Sequence, residues 1–381
     1  MPCLNEADTL AICIHKAQRA LAEGGIAGEV IVADNGSTDG SQAIAEAAGA
    51  RLVAVPERGY GAALAGGIAA ARGSFVVMGD ADDSYDFLEI PAFVTRLREG
   101  HDLVQGCRLP AGGGRIAQGA MPFLHQWLGN PVLTALVRWW FRAPIHDVYC
   151  GLRGFRREWL AGLGMRSRGM EFATEMIIRA SLTGASIAEV PITLHPDGRL
   201  AHPPHLRTFR DGWRTLRFFL LCTPRWLFLV PGLALVLAGL VGFTLALPGW
   251  RWGRVAFDAH TLLYSSLGLI CGYQSLLFAV FAKTVAVREG LLPPDPRLTR
   301  FHRIASLERS LLVGLAAIFG GTAVLAAVFL GWREAGFGHL DYATTMRRVI
   351  PAATATALGF TTVLAGFFSA ILGVGGGEGQ R

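Results

Sequence analysis

Charge is what this chain has least of. Asp, Glu, Lys and Arg make up 17% of its 381 residues, against 52% hydrophobic. That is apolar for a soluble protein, and the deficit is uneven. Up to about Pro224 the chain reads as a globular α/β enzyme; beyond it, four long stretches carry almost no charge. Cysteine is also scarce. Cys3, Cys13, Cys107, Cys150, Cys222 and Cys271 form no C-x-x-C pair and no metal-ligand spacing, which excludes a thiolate metal site and fits a reducing compartment. No basic stripe is interleaved with base-stacking aromatics, so the net charge of +6 points to an anionic membrane surface and away from nucleic acid. No signal peptide, low-complexity tail or internal repeat is read.

The four uncharged stretches are residues 226–248, 260–282, 310–332 and 349–374. Each reaches the length of about 20 residues that a helix needs to cross a hydrocarbon core. Gly314, Gly320, Gly321 and Gly359 suit close helix packing in lipid, and Trp226, Trp250, Trp252 and Trp332 lie near the ends, where interfacial aromatics belong. Arg207, Arg210, Arg214, Arg217 and Arg225 precede the first span. Lys283, Arg288, Arg297, Arg300, Arg303 and Arg309 fill the loop between the second and third. The positive-inside rule then places the N-terminal domain, the middle loop and the C-terminus in the cytoplasm. The last loop, with Arg347 and Arg348, counts against that orientation. Residues 206–225 form a segment of their own. Its arginines recur every three or four positions and share one helical face, while Phe209, Trp213, Leu216 and Leu220 line another. That is the pattern of a helix lying in the membrane interface, touching headgroups or gathering the phosphate of a lipid substrate. The expected domains are therefore 1–205, catalytic; 206–225, interfacial; and 226–374, membrane-spanning.

In the N-terminal part, short apolar runs end in chemistry. Residues 29–33 read as a strand followed by Asp34-Asn35-Gly36-Ser37-Thr38-Asp39, where Asn-Gly-Ser forces a turn before a helix. Residues 52–55 read as a second strand, and Gly59-Tyr60-Gly61-Ala62 opens the helix after it. Residues 75–78 form a third strand and deliver Asp80-Ala81-Asp82. Strand, turn and helix repeated with short loops predict a parallel-rich α/β sheet with helices on both faces, whose ligands bind at the carboxyl ends of the strands. A carboxylate pair at such an end is how proteins hold Mg²⁺ or Mn²⁺ against a diphosphate. One element is missing. Leu10, Ile14, Ala17 and Leu21 predict a helix that needs a strand before it, and Met1 to Glu6 leaves no residues for one. The first strand is expected to be absent, with the true start upstream.

Pro2-Cys3-Leu4-Asn5-Glu6, the Asp34 to Asp39 string and Asp80-Ala81-Asp82 together resemble the inverting family 2 glycosyltransferases of GT-A fold. Residues 147–155, Asp-Val-Tyr-Cys-Gly-Leu-Arg-Gly-Phe, resemble the polyprenyl-phosphate branch, which includes dolichyl-phosphate mannose and glucose synthases. The resemblance covers about residues 2–217. It implies a membrane-bound hexosyltransferase that takes sugar from UDP- or GDP-hexose and passes it to a polyprenyl phosphate.

The resemblance also implies roles. Pro2, Asn5, Glu6 and Asp34 would serve the nucleotide, Gly59 and Gly61 would pack against the nucleoside, and Asp80, Ala81 and Asp82 would hold the metal and donor diphosphate. Arg108 would face the acceptor phosphate, Arg153 would belong to the same site, Glu175 would lie near the sugar, and Arg199 would close over donor or acceptor, with His205 as an addition. A phosphate acceptor is largely dianionic at neutral pH, so it needs arginines to hold it more than a base to activate it.

Two departures bear on this. Ser84 stands where the family often has a glutamine that assists the metal. Cys222 stands where the Q-x-x-R-W string of processive synthases has its glutamine. Two alternatives remain open on sequence. One is transfer to a hydroxyl-bearing lipid, with Glu171, Glu175 or Asp147 as general base. The other is a non-catalytic protein that binds or moves a lipid-linked sugar. His146 reads as structural, and Arg156-Arg157 as a surface pair.

Overall fold

A computed structural model of the chain describes residues 1–199 and 208–374. It divides into two compact units that meet in sequence at Phe219 and Leu220.

The first unit opens with β1 (Pro2–Cys3), α1 (Leu10–Glu23), β2 (Ile31–Asp34), α2 (Ser41–Ala47), β3 (Arg51–Ala54), α3 (Tyr60–Ala70) and β4 (Phe75–Met78). Strands β1, β2 and β3 form a parallel sheet with β2 in the middle. Helix α1 follows the expected periodicity: Leu10, Cys13, Ile14, Ala17 and Ala20 are its buried stripe. The first strand, expected to be absent, is present in shortened form. Met1, Pro2 and Cys3 suffice to pair with β2: the Met1 amine donates to Ile31 O at 2.8 Å, Ala33 N to Met1 O at 2.8 Å and Asn35 N to Cys3 O at 2.9 Å. Below this stub a cavity of about 590 Å³ opens between β2 and β4, lined by Met1, Ile31, Phe75 and Val77 among others. Burial pushes the Met1 amine down to about 6.

The second half of the unit contains α4 (Ile90–Arg98), β5 (Leu103–Cys107), β6 (Arg115–Ile116), α5 (Asn130–Phe141), β7 (Arg153–Arg156), α6 (Arg157–Gly162), α7 (Phe172–Thr183), β8 (Ile187–Pro191), β9 (Thr193–Leu194) and α8 (Thr208–Cys222). A second sheet runs β4-β7-β5-β8, with β7 antiparallel to both neighbours and β8 parallel to β5. The antiparallel β7 carries Arg153 into the middle of this sheet, beside Met78 and Gln105. Phe87, Phe93, Leu97 and Leu152 build the core between this sheet and the helices.

The second unit holds α9 (Val230–Ala246, entered through a turn of π-helix at Arg225–Leu229), a small hairpin of β10 (Arg251–Trp252) and β11 (Val255–Ala256), α10 (Ala259–Arg288), α11 (Pro296–Ile304), α12 (Leu307–Glu334) and α13 (Tyr342–Val374). Among the described residues four segments are long and apolar enough to cross a membrane: Arg225–Ala246, Ala259–Arg288, Leu307–Glu334 and Tyr342–Leu372. Helices α10 and α13 run in the same direction and share a polar seam. Asp258 meets Arg347 at 3.4 Å, Ser266 meets Thr354 at 2.6 Å and Tyr273 meets Thr362 at 2.8 Å. At the next level His302 of α11 bridges Thr284 and Ser369, at 2.9 and 3.1 Å. Helices α12 and α13 pack through small residues: a Cβ on Gly321 would stand 2.3 Å from Thr356 Oγ1, and one on Gly359 2.6 Å from Gly314 O.

Candidate active site

Strand ends build the site: those of the parallel β1, β2 and β3, and that of β4, which pairs antiparallel with β7 in the second sheet. β1 runs out to Asn5 and Glu6, β2 ends at Asp34, the segment after β3 carries Gly59, and β4 delivers Asp80, Ala81 and Asp82. Thr9 ties two of these ends together by donating its hydroxyl to Ala81 O at 2.6 Å. Asn35 ties two more: its Nδ2 donates to Val55 O and Glu57 O, and its Oδ1 accepts from Gly59 N at 2.8 Å.

The centre is a cluster of acids around one base. Arg199 donates from Nε and Nη2 to both Glu6 carboxylate oxygens at 2.7 Å, and from Nη1 to Asp197 at 2.8 Å. Its Nη2 also lies 3.2 Å from Asp82 Oδ2. The other Asp82 oxygen accepts from Ser84, 2.6 Å from Oγ and 3.1 Å from N, so the serine found in place of the family glutamine does hold this carboxylate. Asp80 lies deeper and accepts from the Tyr60 hydroxyl at 2.8 Å. Burial first, and then the Asp82 charge, push its carboxyl up to about 6. Gly151 is wedged against it, since a Cβ there would stand 2.7 Å from Asp80 Oδ2. Two crowded carboxylates, one of them already paired with a guanidinium standing in for a cation, form a donor set that suits a hard divalent ion. Among the described residues no group of three or more His, Cys, Asp or Glu forms a protein-only metal cage.

Asn5 and Asp34 shape the neighbouring turn. Asn5 sits at φ 60° and accepts from Thr38 N at 2.8 Å. Asp34 accepts from Gly36 N and Ser37 N and from Gln42 Nε2 at 2.7 Å, bonds that outweigh burial and hold its carboxyl below the usual range. Pro2, in β1, lies opposite Ala33 of β2, and Ala81 is buried.

Other expected site residues have different tasks. Arg153 is 0% exposed, and its guanidinium is spent on backbone carbonyls: Cys150 O at 2.8 Å, Val148 O at 2.7 Å and Ala173 O. It has no face left for a phosphate. Glu175 accepts from Arg166 N, Ser167 N and Arg179 Nε, and so pins the 166–169 segment. That segment fills the side of Gly59 and Gly61 expected to meet the nucleoside: a Cβ on Gly59 would stand 2.2 Å from Arg168 O, and one on Gly61 2.7 Å from Ser167 O. Arg108 is clamped by Asp147, with Nε 2.7 Å from Oδ2 and Nη2 2.9 Å from Oδ1, while its Nη1 reaches the Tyr85 hydroxyl at 3.4 Å. Tyr85 in turn accepts from Gly151 N at 2.8 Å, which links Arg108 to the Asp80 side. His146 is structural as read, with Nδ1 2.6 Å from Glu189 Oε2. His205 and Arg207 lie outside the described residues.

Sequence reading gave Tyr60 only a place in the Gly59 to Ala62 segment and Asn35 only a part in a turn, and assigned no role to Tyr85 or Asp197.

Residues 1–164 match the family described as Glycosyl transferase family 2, and residues 280–373 match the Glycosyltransferase family 2 C-terminal transmembrane region. The Low-salt glycan biosynthesis hexosyltransferase Agl6 of Haloferax volcanii is 36% identical over 374 residues, covering 98% of this chain and 88% of that one. The chain belongs to glycosyltransferase family 2. A Dolichyl-phosphate hexose transferase of the same organism is 34% identical over 164 residues, 43% of this chain and 68% of that one. A crystal structure of glucosyl-3-phosphoglycerate synthase from Mycobacterium tuberculosis, with Mn²⁺ and UDP-glucose, is 26% identical over 58% of this chain and 76% of that chain, at a TM-score of 0.44. The protein is thus an integral membrane glycosyltransferase: an α/β unit followed, among the described residues, by four apolar helices.

Proposed function

We propose that this chain moves one hexose from a UDP- or GDP-hexose to the phosphate of a polyprenyl phosphate, such as undecaprenyl or dolichyl phosphate, inverting the anomeric carbon. The supporting observation is the cluster of Glu6, Asp82 and Arg199 at the strand ends of a chain that also carries four apolar helices. The relatives named as a glycan biosynthesis hexosyltransferase and a dolichyl-phosphate hexose transferase point the same way.

Asp82, with Asp80 behind it, would hold Mg²⁺ or Mn²⁺, which when bound neutralises charge on the leaving diphosphate. Asn5, Asp34 and the turn they fold would seat the nucleoside. Arg199 exchanges its carboxylate partners for phosphate oxygens when substrates enter, because its guanidinium already stands at the acid cluster and a fork that pairs bidentately with a carboxylate pairs in the same way with a phosphate. Arg108, held by Asp147, supplies a fixed positive field at the acceptor side. The acceptor phosphate is its own nucleophile, so no group need remove a proton. Residues 1–205 would be cytoplasmic and catalytic, 206–225 interfacial and 226–374 membrane-spanning, with the basic loop between α10 and α12 on the cytoplasmic side.

One observation favours a second reading. Glu171 Oε2 is buried with no hydrogen-bond partner. A hydroxyl-bearing lipid acceptor would need a general base, and Glu171 is the carboxylate not spent elsewhere, whereas Glu175 and Asp147 are. The non-catalytic alternative loses its motive, because β1 is present.

The test is transfer of label from UDP- and GDP-hexoses into the lipid phase of membranes supplied with polyprenyl phosphate. Wild type should transfer, and EDTA or Asp82→Ala should abolish transfer. Absence of transfer from every such donor would contradict the proposal.

A further inference from the structure

The second unit holds a cavity of about 390 Å³ where α12 passes into α13, inside the range of ~300–1,000 Å³ typical of small-molecule sites. Its wall is aromatic. Phe329 and Trp332 line it with ring centroids 6.3 Å apart, and Phe337 stands perpendicular to Trp332 at 4.9 Å. The loop builds this corner at a cost. Gly336 and Phe337 have φ of 64° and 59°, and an aromatic residue in the left-handed region is rare. Phe337 N donates to Trp332 O, and Trp332 Nε1 donates to Gly338 O, both at 3.0 Å. Trp332 is thus fixed by the loop that follows it; a tryptophan that only anchors the end of a span needs neither the turn nor the cavity.

The chemistry changes along the cavity, and the order of the changes identifies the ligand. At the loop end, His339, Tyr342 and Thr345 border the aromatic wall, and among the described residues none of their side chains is hydrogen-bonded. Aromatic faces with polar groups at their edges match a sugar ring, whose C–H face is apolar and whose rim is hydroxylated. At the other end the lining is Val328 and Leu325, one and two turns into α12 from Trp332, a surface for hydrocarbon. Charge lies between. A Cβ on Gly321 would meet Thr356, and one on Gly314 would meet Val363, so the register of the antiparallel pair sets Thr345 level with Trp332 and Arg348 level with Phe329. Arg348 is exposed, whereas its neighbour Arg347 is engaged by Asp258. Sugar, cation and hydrocarbon surfaces in that order fit a sugar, a phosphate and a lipid stem.

We infer that the cavity at the α12–α13 loop is a second binding site, for the headgroup of a lipid that carries a hexose through phosphate. The hexose lies on Trp332 within reach of His339, Tyr342 and Thr345, the phosphate pairs with Arg348, and the stem runs along Val328 and Leu325. The choice of ligand rests on the function proposed above, because a hexose joined through phosphate to a lipid is the product of that reaction. By span count the α12–α13 loop lies at the membrane face opposite Arg225, so the site meets a headgroup presented on that face.

The test is photocrosslinking in the full-length protein in detergent, where neither membrane face is closed to a probe. Leu340, on the cavity rim, is replaced by p-benzoylphenylalanine. The probes are undecaprenyl phosphate tritiated in its tail, either bare or carrying a β-linked glucose or mannose. A hexose-bearing probe should label position 340 several-fold more than the bare phosphate, and Trp332→Ala should remove the excess. Tyr342→Phe with Thr345→Val, which keeps the packing, should reduce it as well. Equal labelling by all three probes would overturn the inference and assign the cavity to lipid tails. So would an excess that both variants leave unchanged. The probes are finished lipids and no donor sugar is present, so failure here is separate from failure of the transfer reaction, which Trp332→Ala should leave at the wild-type rate.

Discussion

Arg199 and Glu6, 193 residues apart in sequence, meet through two parallel hydrogen bonds of 2.7 Å, and the same guanidinium lies 3.2 Å from Asp82. A cation at Asp82 and Arg199 on Asp82 are therefore competitors. Arg199→Ala should bind Mn²⁺ more tightly than wild type in the absence of nucleotide, by about tenfold for a lost competing interaction of about 1.4 kcal/mol, while transferring sugar far more slowly. Mn²⁺ titration by electron paramagnetic resonance measures the first effect and a transfer assay the second. Weaker Mn²⁺ binding in the variant would show that Arg199 does not compete.

Tyr60 donates to Asp80 at 2.8 Å. Hydrogen bonds to charged groups contribute about 1.5–3 kcal/mol. Tyr60→Phe should raise the metal concentration for half-maximal activity by about tenfold or more, leaving the fold intact. An unchanged metal dependence would remove Tyr60 from the site.

Asp147 and Arg108 form a buried pair, and losing one partner of such a pair costs about 3–5 kcal/mol. Arg108→Ala and Asp147→Asn should each melt well below wild type. Arg108→Met with Asp147→Leu should recover much of that stability and none of the activity. Burial raises the Asp147 carboxyl, but Arg108 more than offsets this and holds it below its ordinary value. The pair's stabilisation is then complete above about pH 4, the unfolded carboxylate value, and is lost as pH falls through the lower folded value. Melting temperatures between pH 5 and 8 should show no transition from this pair.

Glu175 and Gly59 act on one loop from two sides, so Glu175→Gln and Gly59→Ala should share a phenotype. Both should raise KM for the nucleotide sugar several-fold. Gly59→Ala should be the more severe, because its φ of 140° strains any L side chain and its Cβ meets Arg168 O. Steady-state kinetics would separate this from a role for Glu175 on the sugar, which would lower kcat with KM unchanged.

In the second unit, packing should matter more than the polar seam. Interhelical hydrogen bonds in membranes average about 0.6 kcal/mol, so Tyr273→Phe and Thr354→Val should change thermal stability little. Gly321→Leu should disrupt the α12 and α13 pair, whose backbones meet at that glycine. Melting of the purified protein in detergent tests the ranking.

Much of this was legible in the sequence because it depends on patterns that local physics enforces. Asp34, Asp80 and Asp82 follow apolar runs; Asp34 ends a parallel strand, and Asp80 and Asp82 follow β4, whose pairing with β7 is antiparallel. The four spans are readable from length and lack of charge. What could not be read is how buried polar groups are spent. Arg153 pairs with the carbonyls of Cys150, Val148 and Ala173, and Glu175 with the amides of Arg166 and Ser167. Backbone partners have no residue type, so they leave no trace in a sequence. The antiparallel β7 and the stub β1 were hidden for a related reason: two to four residues suffice for a strand once a neighbour offers its edge.

The measurement that bears most directly on the central claim is the structure of the lipid product. The wild-type reaction products should be extracted and analysed by mass spectrometry and by phosphorus and anomeric-proton magnetic resonance. The account predicts one hexose in β-linkage to the polyprenyl phosphate, with the phosphate converted from monoester to diester. A hexose on a lipid hydroxyl, with any phosphate still a monoester, would contradict it.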